Sequence, residues 1–482
     1  MFRLCSFFRH IQPSIRLFEK EKFFRQYTAG MISRSLLLTL LFLTTKILGS
    51  YEFWNGSHVV NDCLRKLLDA DSIEQQRLDH PMALDDFRQS VLLTYYTFHE
   101  FPGERAWMKV SMLTRKALQY GLHQIDNHEN LSMLQTHSMD PDEVEDWRYV
   151  WWCIYCLDSY SNITSATPFI IEAESIKTAL ITPSTSTAGS NRPDPTEDLL
   201  FLPADNDLLW KTVKDLSRDT SSLNFNMHIV STKILKEAAT IRRLRFQNAS
   251  DSLQARALLL EDHLCVVRLA LPAKYFYESR NVSQQESKLD HHSRLICLIH
   301  IHAARLILCI SVGPGENEKE WLRSWQQSLQ YCEDIVSTTK QWDAQFCSSV
   351  DPAICFVIYA VLVIIYLHRI CELTEPDLHP RLETYKNMLV LFLQQFGSSW
   401  KLPQTLISSF ECLTHRFPGP QTPKQVRMIL NQLQGPRDPK WLHFLSLRPD
   451  PDDTRAINDY FQTMFPEVLP LYDWATSTSF SS

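Results

Sequence analysis

Residues 140–158 read Asp-Pro-Asp-Glu-Val-Glu-Asp-Trp-Arg-Tyr-Val-Trp-Trp-Cys-Ile-Tyr-Cys-Leu-Asp, and they begin the most clearly marked helix in the chain. Asp140 is a good capping residue, Pro141 suits the first helical position, and Glu143 stands three after the cap. That spacing predicts a capping box, in which two side chains satisfy the unpaired amides of the first turn. Trp147, Val150, Trp151, Ile154 and Leu157 then recur at steps of three and four, the period of an apolar helix face.

Working outward, the same grammar repeats. Leu84, Phe87, Val91, Tyr95 and Phe98 line one face of a helix over 82–99. A run over 104–120 stops at Gly121-Leu122, which suits a left-handed cap with a hydrophobic residue folding back on the last turn. Residues 32–49 close at Gly49 in the same way, and 57–71 form a further run. In residues 1–27 aromatic and basic residues alternate, and Pro13 interrupts any helix. Beyond 207, helical patterns cover 208–245, 252–280, 290–312, 317–340, 352–373, 378–396 and 402–415.

No run of alternating strands and no repeat of fixed period is visible. Only 11 of 482 residues are glycine, too few for the turn-rich sandwiches, propellers and doubly wound folds. The expected fold is all-α: a large multi-helix regulatory domain without significant sheet. Its expected organisation is an N-terminal half over 1–181, a Ser/Thr/Pro-rich linker or loop over 182–207, a C-terminal helical half over 208–447, and an acidic, aromatic tail over 448–482.

Charge narrows the function. Residues 1–50 hold eight basic and two acidic side chains, a balance of +6; the whole chain carries −7, so the remainder carries −13. An acidic body repels nucleic-acid phosphates, and the basic start is spread out like a solvated helix face. Its aromatics, Phe7, Phe8, Phe18, Phe23 and Phe24, are expected to form the core at the entry of the domain. Twelve cysteines without a repeated spacing suit buried small hydrophobes in a reducing compartment, and the sequons carry no weight there. Ser35–Thr45 and Ala353–Leu367 are apolar but shorter than a membrane span of about 20 residues, and read as core helices.

No constellation completes a catalytic or metal site. Cys153 and Cys156 form the one C-x-x-C pair and lack the second pair that zinc requires. His300 and His302 lie two apart, on different faces of a helix, beside His291 and His292. The Asp85-Asp86-Phe87-Arg88-Gln89 stretch ends in Gln where a magnesium-binding diphosphate enzyme needs a third acid, and Gln462 stands where the Asn458-Asp459 pair needs a hydroxyl. There is no phosphate-cradling loop and no nucleophile elbow. Neither catalysis nor a cofactor is expected.

Residues 7–183 resemble the middle homology region of fungal zinc-cluster transcription factors. Phe7-Phe8-Arg9-His10-Ile11-Gln12-Pro13 and Phe23-Phe24-Arg25-Gln26-Tyr27 are similar to its opening, and Gln89 to Tyr96 to its second block. Trp107, Arg115, Ala117, Gly121, Leu122 and His123 match a helix ending in Gly-Leu-His. Glu145, Arg148, Trp151, Trp152 and Asp158 fall at the spacing of its E-x-R-R-R-x-W-W…D-R signature. Five positions, in three places, depart from the pattern. The three arginines appear as Trp147-Arg148-Tyr149, the Arg after Asp158 is Ser159, and Gly-Arg-Pro appears as Ala166-Thr167-Pro168.

The resemblance implies a nuclear regulator of transcription, all-helical, of the kind that governs metabolic, including secondary-metabolic, genes. The family reads DNA through six cysteines holding two zinc ions. Residues 1–50 contain one cysteine, Cys5, so specific DNA binding is not expected from this chain. The expected partners are the transcription machinery or a DNA-binding protein, a small-molecule effector and a second copy, with no membrane. The alternative is an all-α enzyme or small-molecule-binding protein of unrelated lineage, which three convergent carboxylates in a deep pocket would favour.

Two further expectations can be tested by geometry. Trp107, Trp147, Trp151, Leu157 and the 353–367 run should share one core. Arg115 should pair with Glu145 or with Asp158, according to the direction in which its helix packs. Over residues 450–474, six acids against Arg455 are interleaved with Tyr460, Phe461, Phe465, Leu469, Leu471 and Trp474, the composition of an activation segment.

Overall fold

The computed structural model describes residues 2–51, 56–76, 83–127, 139–182, 199–217, 223–247, 250–282, 286–310 and 318–434. The activation-segment residues therefore lie outside the described residues, as do 183–198 of the expected linker.

Among the described residues the regular structure is helical, with two isolated bridges, Ala179 to Phe201 and Cys371 to Gln421. The N-terminal run holds α1 (Phe2–His10), α2 (Lys20–Thr28), α3 (Arg34–Leu48), α4 (Ser57–Gln76), α5 (Leu84–Glu100), α6 (Glu104–Gln119) and α7 (Pro141–Ser165). Then come α8 (Leu209–Leu216), α9 (Leu223–Gln247), α10 (Asp251–Ala270), α11 (Lys288–Cys309) and α12 (Glu318–Thr339). The remainder is α13 (Ile354–Ile370), α14 (His379–Gly397), α15 (Lys401–Arg416) and α16 (Pro423–Gln434).

Local chemistry explains most of these boundaries. Ser33 caps α3 by accepting from the Leu36 amide, and Gly49 ends it at φ +64°. Gly121 follows α6 at φ +79°, as its Gly-Leu pair predicts. Pro13 separates α1 from α2, and Phe7, Phe8, Phe18 and Phe23 pack edge to face between them, with Phe24 against Phe8 and Phe23.

Several expectations need correction. The 208–245 run is two helices, α8 and α9, because Ser217 to Ser222 offers no apolar side chain to carry a face across. The 252–280 run ends at Ala270, since Pro272 disfavours helical backbone at the residue before it. Helix α16 was not anticipated. At α7, Asp140 has the extended backbone of a cap but its carboxylate accepts no amide, so the expected capping box does not form. The favourable features there are Pro141 in the first turn and the acidic Asp142 and Glu143 facing the helix dipole. At the far end of the expected linker, Leu202 is buried and the Leu200 carbonyl accepts from the Leu180 amide at 2.7 Å, so this stretch packs on the body.

The core is one connected cluster running from Leu4 to Leu430. Helix α7 lies at its centre, against α5, α6 and α9, and nearly every residue from Asp146 to Asn162 is buried. A helix buried all round is a core helix, so its apolar stripe understated its burial. Trp147, Trp151 and Leu157 share this cluster with Ile354, Ile358 and the rest of α13. Trp107 does not: it is half-buried, and its indole N–H reaches Asn162 Oδ1 at 3.4 Å. Tyr95 of α5 against Trp400 before α15, ring centroids 5.6 Å apart, ties α15 back to the N-terminal helices.

Helix α7 ends at Ala166, at φ +52° and ψ +31°, the one non-glycine residue in the left-handed region among those described. The family pattern carries glycine at this position. A Cβ there costs about 1 kcal/mol, which glycine partly relieves. Ala166→Gly is expected to raise stability by about 0.5–1 kcal/mol in urea denaturation. A loss of stability would contradict the strain.

Candidate functional site

The signature residues on α7 act at two levels. Near its start, Arg148 lays its guanidinium fork on Asp126, with Nε donating to Oδ2 at 3.0 Å and Nη2 to Oδ1, while Nη1 donates to Glu145 Oε2 at 2.6 Å. All three side chains are mostly buried. Burial pushes the Glu145 carboxyl above the usual range, and the charge of Arg148 opposes that rise.

Both carboxylates also hold the irregular strap 176–182. Asp126 Oδ2 accepts from the Ala179 amide at 2.8 Å. Glu145 Oε1 accepts from the Thr182 amide at 2.8 Å, and Oε2 from the Thr182 hydroxyl at 3.1 Å. Trp152 donates its indole N–H to the Ala179 carbonyl at 2.7 Å. From the Gly-Leu-His turn, the His123 carbonyl accepts from the Lys177 amide at 2.7 Å, and the Leu122 carbonyl from the Thr178 hydroxyl at 2.6 Å. Asn226 of α9 holds the strap's other side, with its amide matched to both backbone groups of Ile181. Two motifs distant in sequence thus make one clasp on a segment that has no regular ladder of its own. Leu122 and the Trp151 ring are fully buried beneath it, and burial lowers the pKa of the half-exposed His123.

The departures from the signature are accommodated by contacts of their own. Trp147 packs edge to face on Phe87, and Tyr149 stacks on Phe225. Ser159 is fully buried and donates to the Tyr155 carbonyl at 2.7 Å. Pro168 is exposed, two residues after the left-handed cap, where proline is common.

Arg115 is a correction. It is exposed, and neither Glu145 nor Asp158 forms an ion pair with it, because both carboxylates face inward toward partners of their own. The residues missed in the sequence are Asp126, Thr178 and Asn226. Their only signal was a side chain able to match backbone groups in a segment short of regular structure.

The second level lies at the other end of α7. Asp158 is fully buried, and its Oδ1 accepts from Asn162 Nδ2 at 2.9 Å. Burial raises its pKa to about 6, against the opposing charge of Lys236. Lys236 of α9 donates to the Ile171 carbonyl at 2.7 Å and sits over the rings of Phe169 and Tyr155, 4.8 and 5.2 Å from their centroids. One turn earlier, Lys233 donates to the Ala204 carbonyl at 3.1 Å and to Asn206 Oδ1. Burial lowers both lysines to about 8.

These two lysines line a cleft of about 600 Å³ between α9, α10 and the 204–207 segment. The C-x-x-C cysteines lie deep in α7, where burial pushes both thiols up. His300 faces Tyr160 and Ser231, whereas His302 faces Asp334, so the histidine cluster does not converge.

The family model described as the fungal-specific transcription factor domain matches residues 4–333, and the chain belongs to this family. No match was found among curated proteins or among solved structures.

Proposed function

We propose that this chain regulates transcription of a metabolic or biosynthetic gene set in the nucleus, acting through protein partners or a small-molecule effector. Membership of the fungal-specific transcription factor domain family carries this reading. The charge of the chain supports action through partners, since a body of −13 outside residues 1–50 favours recruitment over broad contact with DNA. We further propose the acidic, aromatic tail over 448–482 as the activating segment.

The test is a fusion of residues 1–482 to a foreign DNA-binding domain, with a matched fusion of 449–482 alone. The full fusion is expected to change reporter output, and the tail alone to raise it. A full fusion indistinguishable from the bare DNA-binding domain would overturn the regulatory reading. Fluorescence of a tagged chain excluded from the nucleus would overturn the localisation.

A further inference from the structure

We infer that the cleft beside α9 is a binding site for a small organic anion, held at its floor by Lys233 and Lys236. This rests on the reading that the chain answers to an effector, and it names that effector's chemical class.

Burying an ammonium is costly unless an opposite charge or a full set of acceptors repays it. Lys233 and Lys236 are only 5% and 8% exposed. No carboxylate among the described residues comes within salt-bridge distance of either, although both line the cleft. Glu237, the acid next to Lys236 in sequence, is engaged by Arg256 at 2.6 and 2.9 Å. Asp158 is turned toward Asn162.

An ammonium carries three donors. Lys236 spends one on the Ile171 carbonyl, and Lys233 spends two, on Ala204 and Asn206. Two cations one helical turn apart, one of them also facing the Phe169 and Tyr155 rings, with acids acting through space but no carboxylate in direct contact among the described residues, fit a carboxylate or a phosphate group.

The walls limit what else the anion carries. Tyr155, Leu259 and Leu260 supply an apolar side, Arg256 adds a third cation, and Glu174, Asp205, Asp207 and Glu237 supply acids, which among the described residues do not converge into a group able to hold a metal ion. These acids repel a polyanion such as nucleic acid and favour a ligand with hydroxyl or amino groups opposite its anionic end. A cleft of this size suits a metabolite.

The probe is pyridoxal 5′-phosphate with the purified chain. Its aldehyde condenses with a lysine amine, releasing water, and borohydride then delivers hydride to the imine carbon to leave a stable secondary amine. Peptide mapping is expected to find Lys233 or Lys236 labelled about tenfold faster than exposed Lys211, given the worth of one charge-assisted contact. Pyridoxal, which lacks the phosphate, should label them more slowly.

Protection by excess succinate would mark the natural group as a carboxylate, and protection by inorganic phosphate alone would mark a phosphate ester. Failure to label either lysine overturns the proposal, as does equal labelling by pyridoxal or indifference to both anions. Labelled lysines with a silent reporter fusion would sink the regulatory reading and leave the site standing. An active fusion with unlabelled lysines would do the reverse.

Discussion

Replacing Asp126 by alanine is expected to destabilise the chain by about 3–5 kcal/mol, the usual cost of stranding one member of a buried ion pair. Asp126 and Arg148 have side chains 6% and 9% exposed. Asp126 accepts from two guanidinium nitrogens and from the Ala179 amide. Alanine would leave the guanidinium with Glu145 alone, and the Ala179 amide without its acceptor. Urea denaturation measures the loss, and hydrogen exchange at Ala179 should rise with it. The ion cluster itself need not be net stabilising, so Asp126→Leu with Arg148→Met and Glu145→Gln is expected to recover part of the loss, the Ala179 amide still lacking its acceptor. Arg148→Lys should not substitute, because an ammonium cannot reproduce the fork. Arg115→Ala, at an exposed position, should stay within about 0.5 kcal/mol of the parent. An Asp126→Ala chain equally close to the parent would show that the clasp contributes nothing.

What could be read in the sequence and what could not divide along a physical line. Helix faces and ends are local: the spacing of Phe87, Val91, Tyr95 and Phe98, or glycine at 49 and 121, needs no knowledge of the rest of the chain. The family pattern also located the clasp residues Glu145, Arg148 and Trp152 without showing what they hold. Their partners come from elsewhere. Asp126 reaches Arg148 from 22 residues away, and Asn226 reaches Ile181 from 45. No periodicity encodes such distances. Arg115 was misread for the same reason: the helix-dipole argument places a cation at a helix end but cannot choose its partner. Lys233 and Lys236 did leave a trace, as two cations set among Ile229, Val230, Ile234 and Leu235 of α9. On a long helix lysines are ordinarily solvated, and only the packing of α10 and the 204–207 segment reveals that these are not.

Asp158 is expected to make stability depend on pH in the direction opposite to a surface carboxylate. Burial raises its pKa to about 6, and burial likewise lowers that of Lys236 to about 8. Both groups move toward neutrality, so desolvation outweighs their mutual attraction. In the unfolded chain the Asp158 carboxyl titrates near 3.9. The folded state therefore holds the proton more tightly, by about 2 pH units or about 3 kcal/mol. The sign follows directly. This stabilisation is fully present below about pH 4, fades as pH rises through 6, and is absent at pH 7, where the ionised carboxylate is a burden. Asp158→Asn keeps the oxygen that accepts from Asn162 and replaces Oδ2 with an uncharged amide. The buried Thr114 hydroxyl lies beside this carboxylate and can accept from the amide. At pH 7 the variant should be at least as stable as the parent. Between pH 7 and pH 5 the parent should gain about 1 kcal/mol relative to the variant. Paired urea titrations at the two pH values measure this difference, in which the titrating groups not coupled to Asp158 cancel; Lys236, which is coupled, stays charged in the parent over most of this range. A difference that does not change with pH would mean that Asp158 is not held in the environment described.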